Sequence, residues 1–290
     1  MDLRRSMLFI PGNNPGMLQN GGVFGADSVI LDLEDAVAPM EKDAARFLVA
    51  KALCTVDYGS SEKVVRINPL DTFAADDIKA IVPCCPDAIL VPKVESAADI
   101  HQVVSMISAA EKPGQTPVKI IALLETPCGI VEAYSIAKAD QRVVALALGA
   151  EDYTAGLGAM RTKEGTEIFT ARTLLINAAA AANVQSIDTP YTDANDEEGL
   201  LQDTELAKRL GFKGKLSINP RQIGVIHTVF NPTLQEIDWA EQVIQAIRKA
   251  ESEGSGVASL NGKMVDLPIV NRAERMLHLA ELLGLMEGKK

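Results

Sequence analysis

Lys119–Asp152 reads KIIALLETPCGIVEAYSIAKADQRVVALALGAED. Two short apolar runs, Ile120–Leu124 and Val143–Leu148, each end in acid: Glu125 after the first, Glu151 and Asp152 after the second. A short, unbroken apolar run suits a strand buried on both faces. Between the runs, Cys128–Ala139 has a helical pattern, with Pro127 in a first-turn position. Strand, helix, strand makes a parallel pair joined by a crossover. Such a pair delivers both acids to one edge of the sheet, where parallel-sheet enzymes place their sites. Two carboxylates converging there suit a hard divalent cation that keeps positions open for substrate oxygens. The plainer reading makes Glu125 and Asp152 caps of the helices that follow. Matched acids on consecutive strands favour the metal.

Working outward, eight strand candidates emerge: Ser6–Ile10, Ser28–Leu33, Lys63–Ile67, Ala88–Val91, Lys119–Leu124, Val143–Leu148, Gln185–Ile187 and Lys215–Ile218. Most are rich in Val, Ile and Leu, as buried parallel strands are. Helical patterns fill the gaps at Lys42–Leu53, Ala75–Val82, Ser96–Ala110, Pro127–Ala139, Glu167–Ala182 and Leu200–Leu210. Ser96 with Asp99 forms a loose capping box, and Gly211 stands where a helix-ending glycine belongs. This alternation predicts an α/β fold, a (β/α)8 TIM barrel over residues 1–230, with an open doubly wound sheet as the alternative. Neither a dinucleotide fingerprint nor a P-loop is present. Residues 231–290 form a C-terminal helical extension: an amphipathic helix Thr233–Glu253, a break at Gly254–Gly256, a short segment Val257–Val270 and a last helix Asn271–Leu283. This extension exceeds what a barrel needs, so it covers an opening or reaches a neighbouring subunit.

Composition narrows the function. The 290 residues carry a net charge of −11, which argues against nucleic acid or an anionic membrane surface as the main partner. The cysteines, Cys54, Cys84, Cys85 and Cys128, have neither a disulfide framework nor zinc spacing. No signal peptide or membrane span fits, so a reducing cytoplasm is expected.

In a barrel the strand exits meet in one ring. They supply Asn13 and Asn14, then Asp32, Glu34 and Asp35, then Arg66 and Asn68, then Lys93, Glu125, Glu151 with Asp152, Asp188, and last Asn219 with Arg221. Arg66 could clamp a substrate carboxylate, or pair with an acid such as Glu34. Lys93 could form an imine with a carbonyl substrate, balance the nearby acids, or simply be solvated.

These residues resemble those of the metal-dependent aldolase and lyase barrels that include citrate lyase beta subunits and malyl-CoA lyases. The likeness runs through Arg4–Gly12, Asp32–Val37, Lys42-Asp43 with Ala45-Arg46, Val65–Asn68, Pro92-Lys93, Glu125–Pro127, Ala147–Tyr153, Ser217–Ile223 and Leu260–Asp266, nearly the whole chain. The resemblance implies a TIM barrel with Mg2+ held by Glu125 and Asp152, and substrate bound by Arg66 and again Glu125. It implies a retro-Claisen lyase that turns a citryl-thioester, on an acyl carrier protein or CoA, into oxaloacetate and acetyl-thioester. Asp266, offered in trans within a homotrimer or hexamer, or Glu34 would serve as acid/base. Implied partners are an alpha subunit that makes the citryl-thioester and a small acyl carrier (gamma) subunit. Alternatives in the same family are cleavage of another 3-hydroxyacyl-CoA such as malyl-CoA, and a class II pyruvate-type aldolase.

Overall fold

Eight parallel strands close on themselves in sequence order in the computed structural model, which describes residues 3–252, 257–260 and 262–286. They are β1 (Ser6–Pro11), β2 (Ser28–Asp32), β3 (Glu62–Arg66), β4 (Ala88–Val91), β5 (Lys119–Leu124), β6 (Val143–Leu148), β7 (Gln185–Asp188) and β8 (Gly214–Ser217). The ring closes where Ser6 to Leu8 pair with Lys215 to Ser217. The expected (β/α)8 barrel is therefore the fold, and the open sheet is excluded. The chain divides into two compact units, Met1–His227 and Thr228–Lys290. The Gly254–Gly256 break and Asn261 lie outside the described residues.

Alternation along the strands sends Met7, Ile30, Val64, Leu90, Ile121, Leu123, Ala145, Ile187 and Leu216 into one shared core. Each fully buried Ile, Leu or Val there contributes roughly 1.5–3 kcal/mol. Truncating one, as in Ile121→Ala, costs about 2–5 kcal/mol through the hole it leaves.

The helices follow the pattern with several differences. Ser96 caps Ala97–Ala110 in a full capping box with Asp99. The expected Pro127–Ala139 helix is two pieces, Pro127–Val131 and Ala133–Lys138, interrupted at Glu132 (φ −88°, ψ 7°). The first piece is pressed against the exit of β4, where a side chain at Gly129 would meet the Val94 carbonyl at 2.4 Å. The second packs on the helix Phe169–Ala182. Helices beyond the expected ones are Pro15–Asn20 after β1, Ala150–Leu157 directly after β6 and Gln222–Phe230 after β8.

In the second unit, helix Leu234–Ser252 packs with helix Leu267–Leu282 and with a small hairpin of Ala258–Leu260 and Lys263–Val265. Ala240, Val243, Ile247, Val265, Val270 and Ala273 form its core. The last helix starts earlier than its apolar pattern suggests, because Asp266 caps it by accepting from the Ile269 N–H and Pro268 fits the first turn. No described helix is long and apolar enough to cross a membrane.

Candidate active site

The C-terminal ends of β2 to β6 bring charged side chains to one mouth. Asp32 ends β2 and lies in register with Arg66, which ends β3. Register makes the pair: Arg66 donates from Nε and Nη2 to the two Asp32 oxygens, each at 2.7 Å. Its third nitrogen, Nη1, lies 2.9 Å from Glu34 Oε2 and 3.2 Å from Asp35 Oδ2. The Phe9 ring supports the guanidinium at 4.7 Å. Burial works against the Arg66 charge, but Asp32, Glu34 and Asp35 outweigh it and raise its pKa.

Glu125 continues β5 and is almost fully buried. Its Oε1 accepts the Lys93 main-chain N–H at 2.9 Å. Gly149 extends the β5–β6 ladder, its N–H donating to the Leu124 carbonyl at 3.0 Å. A Cβ at Gly149 would sit 2.5 Å from the Glu125 Cβ and 2.6 Å from its Oε2, so only glycine leaves room for that carboxylate. Asp152 is in the first turn of the helix Ala150–Leu157, where an acid suits the helix dipole. Thr189, at the exit of β7, anchors this turn by accepting the Ala150 N–H at 3.1 Å.

Lys93 has φ 52°, a left-handed conformation that costs a non-glycine residue about 1–3 kcal/mol. That geometry aims its N–H at Glu125. It also puts its ammonium between Glu34 Oε1 at 3.6 Å and Asp152 Oδ2 at 3.7 Å. Of the open readings for Lys93, this geometry fits the electrostatic partner. Burial works against its charge, but Glu34, Asp152 and Glu125 outweigh it and raise its pKa.

Acids outnumber cations here, and burial makes their charge harder still to hold. Burial, then the neighbouring Glu34 and Asp152 charges, push Glu125 up to about 8. Burial likewise pushes Glu34 up to about 7, against the pull of Arg66. Both Glu34 oxygens are buried, and neither accepts a well-aligned hydrogen bond from the described residues, close as Arg66 Nη1 is. The mouth opens into a cavity of about 470 Å³. Asp32, Arg66, Glu125 and Asp152 line it together with the apolar Phe9, Met17, Leu216 and Ile218.

These residues fit a magnesium ion. Among the described residues no three His, Cys, Asp or Glu side chains form a ready-made cage. Magnesium does not require one: it is commonly held by one or two carboxylates and keeps its other positions for water and substrate. The surplus of buried, unneutralised carboxylate around Glu125 is the feature a dication would relieve.

The structure thus brings Glu34, Arg66, Glu125 and Asp152 together with Lys93. It does not bring every strand-end residue into the ring. Asp188 turns outward and is fully buried behind the barrel. There it accepts from Arg172 Nε at 2.9 Å, Arg172 Nη2 at 2.8 Å and Lys215 Nζ at 2.7 Å, while Asp203 accepts from the same two cations. Asn14 caps the helix Pro15–Asn20, and Asn219 accepts from the Arg221 N–H in a turn. Asp266 belongs to the second unit, as a helix cap. Sequence reasoning gave no role to Phe9 under Arg66, to Thr189 or to Lys42. Phe9 and Thr189 do stand at or beside strand exits, which is a usable signal. Lys42 falls in a stretch that carries the family likeness, but its local pattern gives it no role, because a lysine opening a helix reads as solvated.

Comparison with known proteins follows the same line. The family model described as HpcH/HpaI aldolase/citrate lyase matches residues 5–220. The citrate lyase subunit beta of Leuconostoc mesenteroides subsp. cremoris is 50% identical over 291 residues, covering 99% of this chain and 96% of that protein. The structure of protein CitE from Mycobacterium tuberculosis in complex with magnesium, acetoacetate and coenzyme A superposes with a TM-score of 0.79. It is 33% identical and covers 96% of this chain and 98% of that one. A citrate lyase beta subunit from M. tuberculosis complexed with oxaloacetate and magnesium gives a TM-score of 0.69 at 33% identity, covering 80% of this chain and all (100%) of that one.

Proposed function

This chain belongs to the HpcH/HpaI aldolase/citrate lyase family, and from that premise we propose that it is a carbon–carbon lyase cleaving a citryl-thioester to oxaloacetate and acetyl-thioester. The observation that carries the reading is the cation-poor carboxylate cluster of Glu34, Glu125 and Asp152 at the C-terminal mouth of the barrel. Glu125 and Asp152 would hold magnesium, the ion bound by the mycobacterial relatives. When bound, magnesium supplies a Lewis acid that stabilises negative charge developing on substrate oxygens.

The protein's own groups do the rest. The bond between the carbinol carbon and the thioester methylene breaks, leaving its electron pair on that methylene as a thioester enolate. The tertiary hydroxyl must lose its proton as its carbon becomes the ketone of oxaloacetate, and a proton must reach the methylene carbon to complete the acetyl-thioester. Glu34, raised to about 7, is poised to take that proton at neutral pH. Arg66 orients a substrate carboxylate through Nη1, its nitrogen not committed to Asp32, and Glu125 contributes to substrate binding beside it. Asp266 of a neighbouring subunit is the alternative acid/base. Its use would require residues 231–290 to pack on that neighbour within a homotrimer or hexamer.

The chain acts as one subunit of a multi-subunit citrate lyase. An alpha subunit makes the citryl-thioester, and a small acyl carrier (gamma) subunit presents it. A CoA thioester is the second reading, supported by the coenzyme A in the mycobacterial complex. The test is a coupled oxaloacetate assay with the purified chain on citryl-CoA, citryl-carrier and malyl-CoA. Magnesium-dependent turnover of a citryl-thioester, with malyl-CoA slower, is expected. Preference for malyl-CoA, or turnover insensitive to chelator with an imine trapped on Lys93 by borohydride, contradicts the proposal.

A further inference from the structure

Lys42 meets the site through main-chain carbonyls rather than through a site side chain. It opens the helix Lys42–Thr55, four residues before Arg46, so both lie on one helix face. That face looks onto the strand exits. Arg46 Nε donates to Asp77 Oδ1 at 2.7 Å, and Asp77 Oδ2 in turn accepts both the main-chain and side-chain N–H of Asn68, at the exit of β3. Lys42 acts one strand over: its buried ammonium donates to the Leu33 carbonyl at 2.7 Å and the Glu34 carbonyl at 2.6 Å.

Burying an ammonium against main-chain carbonyls is costly, and burial does lower the Lys42 pKa despite the acids around it. The arrangement supplies what Glu34 lacks. The Glu34 carboxylate meets Arg66 Nη1 at 2.9 Å and Lys93 Nζ at 3.6 Å without a well-aligned hydrogen bond from a described residue, so where its main chain sits governs how it meets both cations. That main chain is pinned on both sides. Asp32 Oδ1 accepts the Glu34 N–H at 2.9 Å, and Lys42 holds the Glu34 carbonyl. Because Asp32 also grips Arg66, the two anchors fix Glu34 relative to the guanidinium.

We propose that Lys42 is a positioning residue for the reaction, holding the Glu34 peptide so that its carboxylate faces the reacting hydroxyl. The inference rests on the reading of Glu34 as the proton-transfer group. It is tested by a double-mutant cycle between Lys42→Met and Glu34→Gln, read as kcat and KM for citryl-thioester cleavage, with Mg2+ affinity measured by calorimetry. Lys42→Met lowers kcat about 10²-fold, the usual cost of a group displaced by about 1 Å. KM and Mg2+ affinity stay within about threefold, because Lys42 supports neither Glu125 nor Asp152. In the Glu34→Gln background the same Lys42→Met change costs less than about threefold, the non-additivity of two residues acting as one unit.

An equal loss in both backgrounds makes Lys42 a general structural residue and overturns the inference. An unimpaired Lys42→Met beside an impaired Glu34→Gln overturns it alone. Full activity in Glu34→Gln overturns the Glu34 reading and the inference with it. Should Lys42→Met not fold, Lys42→Gln, which keeps a shorter donor, replaces it in the cycle under the same criteria.

Discussion

One barrel holds two ionic clusters made from the same residue types. Behind β7 and β8, Arg172, Lys215, Asp188 and Asp203 balance in charge and meet in hydrogen bonds of 2.5–2.9 Å, with only Arg172 Nη1 left over. Burial pushes the Asp203 carboxyl up, but Lys215 and Arg172 outweigh it and hold the pKa below its usual value. At the mouth, Glu34, Glu125 and Asp152 share Arg66 and Lys93 with Asp32 and Asp35, and burial raises Glu34 to about 7 and Glu125 to about 8. A closed cluster has spent its charge on the fold. An open one keeps charge for something that arrives.

The largest effect separates the two at once. Glu125→Gln should lower magnesium-dependent cleavage on the order of 10³-fold, the several kcal/mol a Lewis acid supplies, while leaving the fold intact. Steady-state turnover with circular dichroism checks both halves. Lys215→Met should do the reverse, costing about 3–5 kcal/mol of stability by stranding Asp188 and Asp203, with near-normal kcat in the molecules that remain folded. Urea unfolding measures the loss. A dead but stable Lys215→Met would erase the distinction between the clusters.

Arg66→Lys tests the boundary, since Arg66 is both fastened to Asp32 and directed at the cavity. A lysine cannot reproduce the two-pronged grip, so kcat/KM should fall about 10–100-fold. A smaller effect comes from pH. Magnesium must displace the proton Glu125 keeps below about pH 8, so its affinity should rise with pH, by at most about tenfold per unit, and level off above about 8. Without metal the sign for stability is opposite. A buried acid with a raised pKa favours folding in its protonated form, so stability falls as pH rises from the unfolded value of 4.5 toward about 8. Metal-free Glu125→Gln should therefore gain in Tm over the wild type at pH 8 and not at pH 5.

Much of the barrel was legible because strands buried on both faces read as plain apolar runs, and β4, β5 and β6 lie where those runs do. Their acidic ends were legible for the same reason: a charge closing an apolar run marks where the core stops. What the sequence hides is facing. Asp188 ends its run as Glu125 does, yet it points outward, because a single residue along a strand reverses the face. The Asp32 grip on Arg66 depends on the register of two strands, which no local pattern carries. Lys42 is hidden more deeply still, since its partners are main-chain carbonyls that any sequence would supply.

The central claim is that acids leaving β5 and β6 jointly seat magnesium. Calorimetric titration of Mg2+ into the wild type and into Asp152→Ala, each paired with a citryl-thioester cleavage assay, tests it most directly. Tight binding with turnover in the wild type, and at least a tenfold weaker affinity with turnover lost in Asp152→Ala, is the predicted result. Equal magnesium binding and equal cleavage in the two proteins would contradict the account.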